Sequence, residues 1–281
     1  MKVYKRNGEI EITDVSDFDL KKTFECGQCF RWNVDESGAY TGVAYGRAAK
    51  IRRFNESVFI SGSVEDFESL WRGYFDLDRD YVKIRQLLCI DDFMQNATSF
   101  GAGIRLLRQD KWEALCSFII SQNNNIPRIK AIISTLCREF GEHLVFENEC
   151  FYTFPSAEKL ASIDVEQLAP LRCGYRSEYI VNAARMVAGG FVDLDELAGS
   201  TPHTARAVLK KLHGVGNKVA DCVMLYGLNM HDSFPLDVWM KRAVALHYGP
   251  NFNPAVFSPY AGIAQQYIFH YVRNMSASPV F

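Results

Sequence analysis

Residues 212–220 read LHGVGNKVA and decide the fold. A helical pattern ends at Leu212, glycines follow at Gly214 and Gly216, and a second helical pattern begins near Gly216. Because glycine adopts positive φ without steric cost, this spacing predicts a tight turn between two helices. The first turn of the second helix offers unpaired N–H groups and a partial positive charge, which together suit a phosphate. A plain glycine turn between packed helices is the alternative, and we favour the phosphate site.

Lys218 lies in the first turn of that second helix, where the helix dipole disfavours a cation by up to about 1 kcal/mol. The same field favours the neutral amine, which is the nucleophilic form of lysine. On this position alone, a lysine that only contacts phosphate, or contacts nothing, is the favoured interpretation. Asp237 opens a later helix, where its default role is an N-cap. A carboxylate near Lys218 would also stabilise a developing positive charge.

The N-terminal quarter of the chain has the pattern of an antiparallel meander. Asn7-Gly8 predicts a hairpin between two short alternating runs. From Ser63 onward nearly every apolar pattern is helical. The predicted fold class is therefore α+β, with an N-terminal antiparallel twisted β-sheet domain, residues 1–95, followed by an all-helical helix–hairpin–helix domain, residues 96–281.

The composition excludes several classes of protein. Among 281 residues, 31 Lys and Arg oppose 33 Asp and Glu, a net charge of −2, which argues against a protein that coats DNA electrostatically. No apolar run approaches the roughly 18 residues of a membrane span, and Met1–Ile12 lacks the pattern of a signal peptide. The eight scattered cysteines indicate reduced thiols in an intracellular protein.

Cys26 and Cys29 form a C-x-x-C pair, a pattern found in zinc sites and redox pairs. A zinc site needs two more ligands at similar spacing, and the sequence has no second such pair. A redox pair belongs in a βαβ context, whereas this pair precedes predicted antiparallel strands. We therefore expect neither chemistry here.

Six motifs in chain order resemble the 8-oxoguanine DNA glycosylase/AP lyase branch of the helix–hairpin–helix (HhH-GPD) DNA glycosylase superfamily. They are GQCFRW at 27–32, GIRLLRQD at 103–110, SQNNNI at 121–126, GYR at 174–176, GVGNKVADC at 214–222 with Pro235 and Asp237 after it, and a C-terminal helix with Ala261, Gly262, Gln265 and Phe269. The resemblance covers nearly the whole chain and both predicted domains.

The resemblance implies a base-excision repair enzyme that flips 8-oxoguanine, opposite cytosine, out of duplex DNA and excises it. Flipping is required because a base inside the stack cannot be attacked. Lys218 would attack the anomeric carbon of the sugar and form a Schiff base, and β-elimination would then nick the strand. Asp237 would stabilise the transition state while still capping its helix.

The resemblance also implies a base pocket. The backbone carbonyl of Gly27 would accept the N7–H that oxidised guanine has and guanine lacks. Phe269 and Cys222 would sandwich the purine, and Gln265 would bond its Watson–Crick edge. Cys222 is four residues after Lys218 and so shares its helix face. Without the resemblance, a core Phe, a core Cys and a surface Gln are the simpler interpretations.

Further DNA contacts follow from the resemblance. Asn123 would fill the vacated site, Tyr175 would wedge into the stack, and Arg128 and Arg176 would bond the orphaned cytosine. Two solvated helix arginines are the alternative. Trp239 stands where the family commonly has a histidine that contacts phosphate. We expect this phosphate contact to be lost or to be replaced by stacking. The backbone of the DNA would be held by the hairpin at Gly214, Gly216 and Val219.

We expect no cofactor, neither a metal nor an iron–sulfur cluster, with room for a monovalent cation at the hairpin. The expected partner is double-stranded DNA containing oxidised guanine, bound by a monomer inside the cell and away from membranes. The alternatives are an HhH glycosylase for another damaged purine and a non-catalytic DNA-lesion binding module. A DNA-binding protein with a net charge near zero needs its basic residues gathered on one face. We therefore predict a bipolar surface, with acidic residues such as Asp76 away from a basic face that includes Lys130.

Overall fold

An antiparallel sheet of six strands forms the N-terminal part of the computed structural model, which describes residues 1–6 and 8–275. The strand order is β1-β2-β6-β5-β4-β3. β1 and β2 form the predicted hairpin with Gly8 at φ +87°, and Asn7 lies outside the described residues. The strands are β1 Lys2–Arg6, β2 Glu9–Thr13, β3 Trp32–Val34, β4 Tyr40–Ala44, β5 Arg47–Phe54 and β6 Ser57–Ser61.

Alternation along β2 buries one face of this sheet. Ile10 and Ile12 are fully buried and pair with Ile60 and Val58 of β6, while Glu11 between them lies on the other face and is half-buried. The buried face packs against Trp71 and neighbouring aromatic rings, which together form one hydrophobic cluster.

Helices make up most of the remaining chain. They are α1 Leu20–Glu25, α2 Val64–Asp66, a π-helical turn Phe67–Trp71, α3 Arg72–Tyr74, α4 Tyr81–Leu88, α5 Asp92–Phe100, α6 Lys111–Ile120, α7 Ile126–Phe140, α8 Ala157–Ala161, a 3₁₀-helix Val165–Leu171, α9 Arg176–Ala188, α10 Leu194–Ala198, α11 Pro202–Leu209, α12 Asn217–Tyr226, α13 Val238–His247, a 3₁₀-helix Pro254–Phe257 and α14 Ala261–Met275. No helix in the described ranges is both long and apolar enough to cross a bilayer.

The helical region is not made of helices alone. A two-stranded hairpin, β7 His143–Phe146 and β8 Glu149–Tyr152, lies between α7 and α8. Glu147 and Asn148 form its turn with φ of +50° and +64°. The all-helical prediction missed it because its turn lacks glycine, its strands have four residues each, and none of those residues is buried.

A second hydrophobic cluster lies among the helices, with α6 at its centre, since every side chain from Ala114 to Ile120 is buried. Buried residues of α4 and α5, such as Ile84 and Met94, belong to this cluster and not to that of the sheet. The division of the chain at 95/96 stays a prediction.

Candidate active site

The predicted hairpin joins α11 to α12. Gly214 adopts φ +80°, and the N–H of Val215 donates to the carbonyl of Leu212 at 3.0 Å. Gly216 is the N-cap of α12, is exposed and has no side chain to cap the helix. The first N–H groups of α12 therefore face outward at the positive end of its dipole. Val219 is 2% exposed, so its side chain is not available to a ligand.

Lys218 and Asp237 line the same surface cavity, which has a volume of about 410 Å³. The Nζ atom of Lys218 lies 3.2 Å from Oγ of Ser121 and 5.3 Å from the ring centre of Phe118. Asp237 is the N-cap of α13, where its carboxylate accepts the Met240 N–H at 2.8 Å. No salt bridge joins Lys218 to Asp237 among the described residues, although both line this cavity.

Three chain segments build the walls of this cavity: the turn after α6, the start of α12 and the start of α13. Trp239 stands on the rim and is 40% exposed. The lining residues are Ser121–Asn124, Gly216, Lys218, Val219, Leu236–Trp239 and Lys241.

The residues expected to hold the base meet in pairs. A Cβ placed on Gly27, at φ +89°, would lie 3.4 Å from Cε1 of Phe269, so a side chain at this position would reach that ring. Gln265 precedes Phe269 by one helical turn of α14, is 4% exposed, and its Oε1 has no partner among the described residues. Cys222 is buried beside Lys218, and burial raises the pKa of its thiol to about 11 although Lys218 acts against this. Cys222 therefore offers a neutral apolar surface.

Two buried glutamines that the sequence did not single out hold this pocket together. Gln28 donates to the carbonyls of Thr23 and Arg105, both at 2.8 Å, and accepts the Leu107 N–H at 2.9 Å. Gln266 donates to the carbonyl of Cys26 at 3.1 Å. A buried glutamine needs several hydrogen-bond partners to offset its desolvation. The only signal in the sequence was that both glutamines lie inside motifs.

Asn123 and Tyr175 lie together at the surface. Nδ2 of Asn123 is 3.3 Å from the hydroxyl oxygen of Tyr175, and Asn123 adopts φ +46°. Tyr175 is 49% exposed and packs edge-on against Tyr179 at 5.4 Å between ring centres. Asn123, predicted to fill the vacated site, and Tyr175, predicted to wedge into the stack, are thus neighbours. The ring of Tyr179 packs behind that of Tyr175.

The two arginines differ. Arg128 is exposed and donates to one carbonyl, that of Arg172, at 3.0 Å. Arg176 is 4% exposed, and its guanidinium donates to the carbonyls of Gln122, Asn123 and Cys173. Arg176 is therefore not a solvated helix arginine. Its guanidinium is already hydrogen-bonded to backbone carbonyls in this structure.

Two charges assigned to a bipolar surface are engaged inside the fold. Asp76 is 2% exposed and pairs with Arg79 and Arg108, and the ammonium group of Lys130 donates to the carbonyl of Trp32 at 2.6 Å. Asp76 is therefore enclosed by two arginines and adds little to an acidic surface, whereas Lys130 is half-buried and keeps its charge. The bipolar surface stays a prediction.

Cys26 and Cys29 are both free and buried, and burial raises the pKa of each thiol, for Cys26 to about 12. Within residues 1–6 and 8–275, no group of three or more His, Cys, Asp or Glu is arranged to hold a metal ion.

Two family models match the chain. Residues 11–115 match the 8-oxoguanine DNA glycosylase, N-terminal domain, and residues 116–255 match the HhH-GPD superfamily base excision DNA repair protein. The N-glycosylase/DNA lyase of Saccharomyces cerevisiae is 31% identical in an alignment 259 positions long, which covers 83% of this chain and 69% of the yeast protein.

Solved structures resemble the fold along its length. The structure of MBOgg1 in complex with a low-affinity DNA ligand has a TM-score of 0.94 at 43% identity, over 98% of this chain and 99% of that one. The 8-oxoguanine glycosylase/lyase of Clostridium acetobutylicum, in complex with dsDNA containing cytosine opposite 8-oxoG, has a TM-score of 0.93 at 34% identity, over the same shares of the two chains.

Proposed function

Because this chain belongs to the HhH-GPD superfamily of base excision DNA repair proteins, we propose that it excises 8-oxoguanine from duplex DNA and cleaves the strand at the resulting abasic site. It is a bifunctional DNA glycosylase and AP lyase. The observation that carries the mechanism is the cavity shared by Lys218 and Asp237 beside the hairpin.

Excision begins when the flipped nucleotide brings its C1′ atom to Lys218. The neutral amine attacks C1′, the bond from C1′ to the base breaks, and its electron pair leaves with the base, which takes up a proton. The C1′–O4′ bond then breaks as the nitrogen lone pair forms the C=N bond of the Schiff base, and O4′ takes up the proton that nitrogen loses. The carboxylate of Asp237 stabilises the positive charge that develops on the sugar.

Strand cleavage follows from the same intermediate. Removal of a proton from C2′ breaks the bond between C3′ and its oxygen, and the 3′ phosphate leaves with the electron pair. Water then hydrolyses the Schiff base and frees Lys218.

The base pocket supports selection of an oxidised guanine. The Gly27 carbonyl would accept the N7–H of the lesion, whereas guanine would present a lone pair to a buried acceptor. The unpartnered Oε1 of Gln265 needs a donor, and the Watson–Crick edge of guanine carries N1–H and N2–H. Leaving such an oxygen without a partner costs about 1–3 kcal/mol.

Recognition of the opposite cytosine falls mainly to Arg128 in this proposal. Arg128 has donors to spare, and cytosine offers acceptors on its pairing edge. Arg176 would first exchange its bonds to the carbonyls of Gln122 and Asn123 for bonds to the base. Asn123 and Tyr175 would occupy the gap that the flipped nucleotide leaves.

The enzyme would act as a monomer in the compartment that holds the DNA, since hairpin, wedge and nucleophile belong to one chain. A monovalent cation at the hairpin is also part of the proposal, because the turn carries backbone carbonyls and hard cations prefer oxygen ligands. Replacing K⁺ by tetramethylammonium at constant ionic strength should then weaken DNA binding.

Borohydride trapping on a duplex with one 8-oxoguanine opposite cytosine tests the mechanism. Reduction of the Schiff base should give a covalent protein–DNA adduct with the native protein and none with Lys218→Gln. Loss of the adduct with retained binding would confirm the nucleophile. An undiminished adduct in Lys218→Gln would refute it, release of alkylated purines alone would indicate the other-purine glycosylase, and binding without base release would indicate a lesion-binding module.

A further inference from the structure

Ser121 ends α6 and begins the turn that leads to Asn123. Its hydroxyl donates to the carbonyl of Phe118 at 2.8 Å, and Nζ of Lys218 lies 3.2 Å from the same Oγ atom. A carbonyl oxygen can only accept, so the single hydroxyl proton of Ser121 is committed to Phe118. Lys218 is therefore the donor in the second hydrogen bond.

This direction of donation matters for a nucleophile. A neutral amine has two N–H groups and one lone pair, and only the lone pair attacks carbon. A hydroxyl free to rotate could donate to that lone pair and block it. Because its proton is held by Phe118, Ser121 accepts an N–H and leaves the lone pair free.

Other groups restrict Lys218 from different sides. The ring centre of Phe118 lies 5.3 Å from Nζ, and Cys222 lies beside the lysine on the same helix face. Ser121 is the one among these three contacts that comes from the turn carrying Asn123, which lines the same cavity. The amine is thus located relative to the segment expected to contact the opened duplex.

We propose that Ser121 is a positioning residue for Lys218, one that fixes the direction of the amine lone pair toward C1′ of the flipped nucleotide. The proposal rests on the proposed function, since it needs Lys218 to be the nucleophile. Ser121 itself touches no reacting atom.

A serine at the end of a helix often serves the helix alone, and the chain contains a matched example. Ser162 ends α8 and donates to the carbonyl of Lys159 at 2.8 Å, with the same spacing of three residues. Ser162 is exposed and does not line the cavity of Lys218. Ser162→Ala therefore removes the same local hydrogen bond without reaching the nucleophile.

The test compares Ser121→Ala, Ser121→Thr and Ser162→Ala with the native protein. Base release is measured under single-turnover conditions on the 8-oxoguanine:cytosine duplex, and affinity on a duplex with a tetrahydrofuran abasic analogue. We expect Ser121→Ala to react about tenfold more slowly while its Kd changes by less than about twofold. Ser121→Thr keeps the hydroxyl and should recover most of the rate, and Ser162→Ala should match the native protein.

Native rates in Ser121→Ala would overturn the positioning role. So would a parallel loss of affinity and thermal midpoint that threonine does not rescue, because that pattern indicates support of the turn alone. Failure of the native protein to release 8-oxoguanine would instead refute the proposed function, which keeps the two failures distinct.

Discussion

The ring of Tyr179 fills the space that a side chain on Gly214 would need. A Cβ on Gly214 would lie 2.2 Å from Cδ2 of that ring, and the residue adopts φ +80°. Gly216 differs, because its φ is −92° and no atom lies within 4 Å of its Cβ position. The fold therefore requires glycine at position 214, whereas the missing side chain of Gly216 leaves space for a ligand at the surface.

Alanine at these two positions should separate folding from binding. Gly214→Ala should lower the free energy of unfolding by about 1–3 kcal/mol, since it combines strained backbone with a clash. Gly216→Ala should change stability by less than about 1 kcal/mol but weaken DNA binding, because a methyl group would stand between phosphate and the N–H groups. Urea unfolding and DNA titration measure both, and equal affinity of Gly216→Ala and native protein would contradict the phosphate site.

Asp237→Asn should separate capping from chemistry. Asparagine caps a helix about as well as aspartate, so the thermal midpoint should stay close to the native value. Loss of the negative charge should slow base release by about 100- to 1,000-fold. Asp237→Ala serves as the comparison and should lose both activity and about 1 kcal/mol of stability. Full activity in Asp237→Asn would show that the carboxylate only caps α13.

Arg128→Ala and Arg176→Ala should have different effects. Arg128 is exposed with one hydrogen bond, so its removal should leave stability unchanged and reduce the preference for cytosine opposite the lesion. Arg176 is buried, and its removal leaves the carbonyls of Gln122 and Asn123 without their donor, which should cost about 1–3 kcal/mol. Excision opposite each of the four bases, with unfolding curves, distinguishes them. An unchanged opposite-base preference in Arg128→Ala would argue against its assignment.

Trp239 should report DNA binding by its fluorescence, because it is 40% exposed at the cavity rim while Trp32 and Trp71 are buried. Stacking on a nucleotide should quench it, and Trp239→Phe should keep affinity but lose the quenching. Trp239→Ala should weaken binding by about tenfold. Quenching that persists in Trp239→Phe would assign the signal to another tryptophan and remove the evidence for stacking.

His231 should make the protein less stable in weak acid. Burial, with help from the nearby charge of Arg79, lowers its pKa from 6.5 to about 4. The unfolded chain therefore binds the proton first, so stability is fully present above pH 6.5 and falls as the pH drops toward 4. His231→Gln should lack this part, worth roughly 2 kcal/mol. The two unfolding free energies are compared at pH 7 and at about pH 4.5, and equal pH slopes would contradict it.

The sequence was sufficient for features that depend on local chemistry. The turn at Gly214 needs positive φ, and the helices beside it show their period directly, so both were predictable. Asp237 was predictable as an N-cap because capping depends only on the residues at the start of its own helix.

Features that depend on distant contacts were not predictable from the sequence. Arg176 is buried because it donates to the carbonyls of Gln122 and Asn123 in the turn between α6 and α7. No pattern around residue 176 indicates this contact. The charge of Asp76 is likewise enclosed by arginines whose positions only the fold determines. The resemblance to a family named the site residues, but their distances required the structure.

The pocket brings together parts of the chain that are made at very different times. Gly27 lies near the start of the chain and Phe269 on α14, and Gln266 ties that helix to the carbonyl of Cys26. A nascent chain that has emerged only as far as α13 already contains Lys218 and Asp237 but not the ring that completes the pocket. The order of synthesis therefore places the last wall of the pocket, the segment of α14 with Gln265 and Phe269, after the nucleophile, the carboxylate and the Gly27 carbonyl.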